Sequence, residues 1–258
     1  VIFKRFLIVI ANICLATTVF AEDFGDFTVD WTKVITLSGG PAWTSPGRSQ
    51  TYYIPPGISP FTRYVQYLAR ETTETISTGE LFFALQRPVT PWLTQRLGIA
   101  FAGATEADLY GTLVINNIPR AAYKYKISHG HAAIRGLLAA CPTFWAQPYI
   151  SASVGYSFNS SDAFKTNPPL NIYNVNDGSL TLLKFNSTTK GSFVYTVGLG
   201  FKANITKNWE VGLGYELADW GRSQLEKPTY LTWAFPPPKL SNVYTHQLQF
   251  SLSYLYCL

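Results

Sequence analysis

Along the last twelve residues, Leu248, Phe250, Leu252, Tyr254, Tyr256 and Leu258 alternate with Gln247, Gln249, Ser251, Ser253 and Leu255. One face of this segment is entirely apolar or aromatic, and the other is mostly small or polar. A period of two belongs to an extended strand, whose successive side chains point to opposite faces. The pattern recurs upstream. Trp209, Val211, Leu213, Tyr215 and Leu217 alternate with Glu210, Gly212, Gly214, Glu216 and Ala218, and Phe193 to Lys202 and Ile150 to Phe158 repeat it. Shorter stretches do the same around Leu97–Phe101, Leu81–Leu85 and Ile35–Leu37. A soluble sheet would turn its apolar face inward. A membrane-spanning barrel turns it outward and lines its lumen with the small polar face.

Composition decides between the two. Only 14% of the 258 residues are charged and 16% are aromatic, against about a quarter charged in an ordinary soluble domain. Much of the surface therefore faces something other than water. Yet no internal run approaches the roughly 20 apolar residues of a membrane helix. The expected fold is all-β, an eight-stranded antiparallel up-and-down transmembrane β-barrel. Its strands are predicted at 32–43, 75–86, 93–104, 123–140, 147–158, 191–204, 209–220 and 245–258. Near Lys124 and Lys126 the lipid-facing pattern fails, so that end of the fourth strand is expected to project above the membrane.

The predicted connections alternate in length. Turns at 87–92, 141–146 and 205–208 are short. The links 44–74, 105–122, 159–190 and 221–244 are long and hold most of the prolines. Short periplasmic turns and longer extracellular loops are the usual asymmetry of such barrels.

At the N-terminus, basic Lys4 and Arg5, apolar Phe6 to Phe20 and the small-residue site ending at Ala21 form a secretory signal over 1–21. The barrel domain is then 22–258. Removing Lys4 and Arg5 lowers the formal charge from +5 to +3, which argues against nucleic-acid binding. Cys141 and Cys257 remain, and their predicted positions across the ring make a pairing between them unexpected.

Six tryptophans sort by strand end. Trp31, Trp92, Trp145 and Trp209 fall at or beside the short-turn ends, and Trp43 and Trp220 at the opposite ends. From Trp209 to Trp220 is about 36 Å of extended chain at roughly 3.3 Å per residue. Tilted by about 45°, that rises about 26 Å, near the apolar band of about 25 Å between aromatic girdles. All six are expected at the membrane interfaces.

The hairpin Lys207-Asn208-Trp209-Glu210-Val211-Gly212-Leu213-Gly214-Tyr215-Glu216 and the aromatic-alternating last strand resemble the small outer-membrane barrels of the opacity-protein and outer-membrane-protein-A type. The resemblance covers the whole mature chain in pattern and is specific in the last three strands. It implies the outer membrane of a Gram-negative bacterium, contact with outer-membrane lipid and lipopolysaccharide, and folding by the barrel-assembly machinery. Leu258, in the outward phase, stands where that family usually ends in Phe or Trp.

Candidate chemistry is sparse. His129 and His131 share one strand face, where they could ligate a metal or form a relay, but no His-x-Ser-Asn pattern of the lipid A deacylase type accompanies them; they read as a lumen-rim pair. Gly198-Leu199-Gly200 and Gly212-Leu213-Gly214 lie within strands and so fail the context of a nucleotide loop. Neither a catalytic, a metal nor a cofactor site is expected. The inward ionisable set is Glu80, Arg96, Arg135, Lys202, Glu210 and Glu216. Three acids and three bases in a narrow lumen are expected to pair, with Lys202 meeting Glu210 across the turn 205–208. The leading function is a structural or surface-interaction role through the long loops: envelope integrity, adhesion or host contact. A narrow porin and a lipid A-modifying enzyme are the alternatives.

Overall fold

The computed structural model describes residues 31–44, 49–54, 64–70, 73–140, 145–173, 178–227, 236–240 and 242–257. The expected signal at 1–21 and the thiol of Cys141 lie outside them. Among the described residues the strands are β1 (Thr32–Thr44), β2 (Gln50–Tyr53), β3 (Tyr64–Ala69), β4 (Glu74–Thr90), β5 (Leu93–Ile115), β6 (Ile118–Ala140) and β7 (Gln147–Asn167). They continue as β8 (Asn171–Tyr173), β9 (Leu180–Leu182), β10 (Thr188–Asn204), β11 (Trp209–Asp219), β12 (Ser223–Gln224), β13 (Lys239–Leu240) and β14 (Tyr244–Cys257).

Eight of these form a ring in the order β1-β4-β5-β6-β7-β10-β11-β14, every neighbouring pair antiparallel. β1 closes on β14 from Thr32↔Cys257 to Thr44↔Thr245. This is the predicted up-and-down barrel. Closure gives every strand of the ring a neighbour on both sides, as hydrocarbon demands because no water is present to satisfy an open edge.

The outward phase through the belt is apolar, as in Ile35, Leu37, Phe83, Ile99, Ile134, Ile150, Leu199, Leu213 and Phe250, all exposed. The inward phase is small, polar or charged. On β10 and β11, Gly198, Gly200, Gly212 and Gly214 face inward. A Cβ on Gly214 would collide with the Tyr149 hydroxyl, and one on Gly200 would lie 2.7 Å from the Gly214 Cα. These glycines leave the space that the Tyr149 ring fills.

The long links are more ordered than expected. The predicted loop 105–122 is the top of the β5–β6 hairpin, turned by Asn116 and Asn117 at φ 50° and 65°. Two consecutive left-handed residues make the tight turn that matches strand twist, and asparagine tolerates that conformation. The link 159–190 likewise carries the end of β7 and the β8–β9 hairpin, 44–74 carries β2 and β3, and 221–244 carries β12 and β13. The sequence pattern marked only lipid-facing strands, and these segments are strands that face water.

The reason is visible along β6. Its inward side chains run from Arg135 through Ala133, His131 and His129 to Ile127, Tyr125, Tyr123 and Ala121, all buried. Its outward side chains run from exposed Ile134 to Lys126 and Lys124. Polar-in, apolar-out therefore becomes apolar-in, polar-out along one strand. Above the crossover lies a continuous apolar core that includes Tyr67, Leu109, Leu113, Tyr123, Tyr125, Phe164, Leu183, Phe185, Leu225 and Val243. Two bulges help to re-phase the wall there. On β5, Ala104 pairs with His129 but Ala107 with Ile127, so the inward set shifts from even to odd positions. On β7, Ala163 at φ 53° sits in a register shift that aims Phe164 into the core.

The two zones respond differently to truncation. Leu113→Ala, in the crown core, is expected to cost about 2–5 kcal/mol. Leu213→Ala, facing lipid, costs much less, whereas Leu213→Arg costs about 2–4 kcal/mol. Denaturant unfolding from lipid vesicles measures all three, and equal costs for the two alanine variants would contradict the inversion.

Candidate functional site: the lumen and its extracellular cap

The six predicted lumen charges are all buried and form two ionic clusters. Nearer the short turns, Arg96 donates both terminal nitrogens to Glu210, at 2.8 and 2.7 Å, and its Nε donates to Gln86 Oε1 at 2.6 Å. Lys202 Nζ donates to the same carboxylate at 2.9 Å. The contact expected between Lys202 and Glu210 is thus made, but Arg96 holds the carboxylate by the stronger, two-pronged geometry. One step up the wall, Arg135 bridges Glu80 at 2.5 Å and Glu216 at 2.8 Å and donates to Ser151 Oγ. Gln247, the register partner of Glu216 on the adjacent strand β14, donates to its carboxylate. The Arg135 guanidinium also lies 5.9 Å from the centre of the Phe82 ring.

Together the clusters join strands from all around the ring. Arg96, Glu210 and Lys202 tie β5 to β10 and β11; Arg135, Glu80 and Glu216 tie β6 to β4 and β11. Ionic pairs this deep require partners for every charge, because an uncompensated one in a low-dielectric interior costs several kcal/mol.

Above them sits a third layer. Asn159 donates its amide nitrogen to the carbonyls of Trp220 and Arg222, at 2.7 and 2.8 Å. Its Oδ1 therefore accepts from His129 Nδ1 at 2.6 Å. That leaves His129 Nε2 as the acceptor for His131 Nδ1–H at 2.8 Å, and both rings have a defined tautomer. His129 stacks on Trp220 with ring centres 4.0 Å apart and planes within 6°.

Trp220 corrects a sequence expectation. It was placed at the membrane interface, but it is 4% exposed and points into the lumen. Eleven is an odd number of steps from outward-facing Trp209, so strict alternation turns Trp220 inward. β11 ends at Asp219, and Gly221 at φ 77° then turns the chain away. The other five predicted interface tryptophans are exposed: Trp31, Trp43, Trp92, Trp145 and Trp209. Trp31 lies beneath the Arg87 guanidinium, 5.3 Å from its ring centre. Sequence reasoning missed Asn159, Gln86 and Gln247, although each lies in the inward phase of its strand.

The geometry defines a membrane-spanning barrel with a salt-bridged plug and a hydrogen-bonded cap. Residues 100–255 match the family model described as outer membrane protein beta-barrel domain. The chain belongs to that family and resides in the outer membrane of a Gram-negative bacterium. Its fold is similar to that of Neisserial surface protein A, at 10% identity and TM-score 0.41, covering 86% of this chain and 96% of that one. It is also similar to the outer membrane protein OprG from Pseudomonas aeruginosa, at 11% and 0.45, covering 90% and 100%. A third similar structure is Ail, the attachment invasion locus protein of Yersinia pestis, at 9% and 0.38, covering 88% and 99%. No curated protein matches the sequence.

Removing Glu210 would strand Arg96 and Lys202 together. Glu210→Ala is expected to destabilise by about 3–5 kcal/mol, and replacing the whole cluster (Glu210→Leu, Arg96→Met, Lys202→Met) to recover most of that loss. Unfolding from vesicles reads both. A single variant as stable as wild type would show that the cluster is solvated.

Proposed function

We propose that this is a non-enzymatic, non-conducting outer-membrane protein that presents a rigid β-crown to the exterior, serving envelope integrity, adhesion or host contact. The observation that carries this reading is the stacking of ionic, imidazole-indole and apolar layers along one lumen. An eight-stranded interior is just wide enough for side chains to fill, and here three successive layers fill it. In this reading, residues 1–21 are the export signal, and the barrel-assembly machinery inserts the chain. Trp31, Trp43, Trp92, Trp145 and Trp209 settle at the lipid headgroups, against lipid and lipopolysaccharide.

The crown supports surface contact rather than passage. Its outer face is polar and carries paired charges, Lys124 with Asp108 at 2.7 Å and Lys126 with Glu106 at 2.5 Å. Such exposed pairs add little stability, and the apolar core beneath gives the crown its rigidity. Loops braced in this way offer a partner a preorganised surface, which lowers the ordering cost of binding. The two histidines favour a structural role, because His129 has both ring nitrogens committed to neighbours.

Planar-bilayer recording tests the reading directly. The purified protein is expected to show no unitary conductance, and lipid A from cells with and without the gene to have the same mass spectrum. Cells carrying a variant with the crown hairpin cut back to a short turn should keep the folded barrel but lose surface attachment. Steady conductance would favour the narrow porin, and an altered lipid A mass would favour the lipid A-modifying enzyme.

A further inference from the structure

The bulge on β7 acts on the outside of the barrel as well as the inside. Just below it, Lys126 and Asp162 are register partners on the outward face. One extra residue, Ala163 at φ 53°, then shifts the parity of β7. Phe164 turns into the crown core, and Lys165 turns outward as the register partner of Lys124. Like charges directly opposite on one sheet face, with Cβ atoms about 5 Å apart, repel each other. Lys126 is held between Glu106, at 2.5 Å, and Asp162. Lys124 spends two of its three N–H groups on Asp108 and the Tyr110 hydroxyl. Lys165 makes no ion pair among the described residues. The bulge therefore sets one lysine with a spare donor against another that has no acid of its own.

Below the lysines the same face changes in layers, each two residues further down strands that descend about 5 Å per pair at a tilt of about 45°. First comes Ser128 opposite Ser160, with Thr189 of β10 donating from Oγ1 to Ser160 Oγ at 3.3 Å. Next, Gly130 pairs with Phe158, and Gly103 of β5 adjoins Gly130. The Tyr156 and Phe158 rings stand together with centres 5.3 Å apart. Gly103 and Gly130 leave a shallow trough beside them. Ala132 and Ile134 carry the face on into the lipid belt. The far wall differs. At the upper ends of β11, β14 and β1 the exposed outward residues are Leu217, Tyr244 and Trp43, with no cation among them.

We infer that the outward face of β6, β7 and β10 docks one lipid A headgroup. A phosphate sits between Lys124 and Lys165, sugar hydroxyls meet Ser128, Ser160 and Thr189, and an acyl chain lies in the trough beside Phe158. The inference rests on the reading of the crown as extracellular, which puts this face in the lipopolysaccharide leaflet. A phosphate oxygen accepting from both lysines turns their repulsion into two charge-assisted contacts. From Lys124 down to Ser128 is a descent of about 9 Å, so charge, hydroxyls and apolar surface follow one another within the depth of a single headgroup. That is the order in which a phosphorylated glycolipid presents them from water to membrane. A glycerophospholipid brings no sugar ring to the hydroxyl layer. The docked lipid fixes the height of the crown in the leaflet and leaves the closed lumen as it is.

Amide NMR on the whole protein in maltoside detergent tests the inference with diphosphoryl lipid A, and with phosphatidylglycerol and inorganic phosphate as comparison probes. Saturable shifts are expected with lipid A at Ser128, Gly130, Ser160 and Lys165, and none at Leu217 or Tyr244. Lys165→Gln should weaken lipid A about tenfold, the value of one hydrogen bond to a charged group, while the barrel keeps its heat-modifiable gel mobility. Gly130→Leu fills the trough, and its Cβ meets no atom nearer than 3.7 Å. It should also weaken lipid A, and it serves as the second variant if the first fails to fold. Phosphatidylglycerol is expected to bind at least tenfold more weakly, and inorganic phosphate to leave Gly130 unmoved. Equal binding of the two lipids, shifts spread evenly around the barrel, or the same shifts from inorganic phosphate alone would overturn the site. So would a lack of saturable binding, or lipid A affinity unchanged in folded Lys165→Gln. Bilayer conductance and surface attachment test the earlier reading separately, and neither depends on a bound lipid A.

Discussion

Pairing of β1 with β14 is the constraint on which the rest of the molecule depends. An open edge in hydrocarbon would leave a row of backbone donors and acceptors without water, at several kcal/mol each. Once the ring is closed, each strand has only two faces, and the solvent outside sets which of them is apolar. Within the lipid belt, Ile134, Leu199 and Phe250 face outward, so the polar set must face inward. A lumen this narrow then forces Glu80, Arg96, Arg135, Lys202, Glu210 and Glu216 within reach of one another. The ionic clusters follow from closure together with side-chain alternation.

Above the belt the outside solvent becomes water, and the same strands reverse. On β6 the reversal takes four inward residues, from Arg135 to His129, before Ile127, Tyr125 and Tyr123 begin an ordinary apolar core. The His129–Asn159–Trp220 layer lies at the crossover, where a partly polar, partly aromatic set can satisfy both neighbours. The bulges on β5 and β7 fall at or just above this level. Each lets a strand change which residues point inward, and each lies where the ladder on the strand's other edge ends, at Thr78↔Ala104 for β5 and at Thr188↔Ser161 for β7. On β5 that edge then passes from β4 to β3, which pairs with it from Ala69↔Gly111 upward, so the change of neighbour falls close to the change in phase.

Much of this was legible in the sequence, for a physical reason. Lipid-facing strands combine two signals, a period of two and an unbroken apolar phase, and seven of the eight barrel strands are legible by them; the fourth, 123–140, carries the pattern only around Ile134 and Leu138 and is phased by an inward Arg135. The inward charges were legible as the polar phase of those strands. What escaped were the water-facing parts of the same strands. Residues 105–115 and 118–122 carry Asp, Glu, Arg, Thr and Tyr on their outer side and read as solvated loop, although Leu109, Leu113 and Ala121 alternate beneath. Trp220 was misassigned because girdle spacing was weighed above parity, and an odd count from Trp209 puts it inside. The pairing of Arg96 with Glu210 could not be read at all, because it depends on the stagger between strands that are distant in sequence.

The central claim is that one continuous strand changes its outward solvent between Ile134 and Lys126. Site-directed spin labelling along β6, one position at a time in lipid vesicles, measures this directly through collision with oxygen and with a water-soluble nickel chelate. Labels at Ala132 and Ile134 are predicted to be oxygen-accessible and nickel-shielded, and labels at Lys124 and Lys126 the reverse. Labels at Tyr125 and Ala133 should be shielded from both. Oxygen-dominated collision at Lys124 and Lys126, or nickel access at Ile134, would contradict the account.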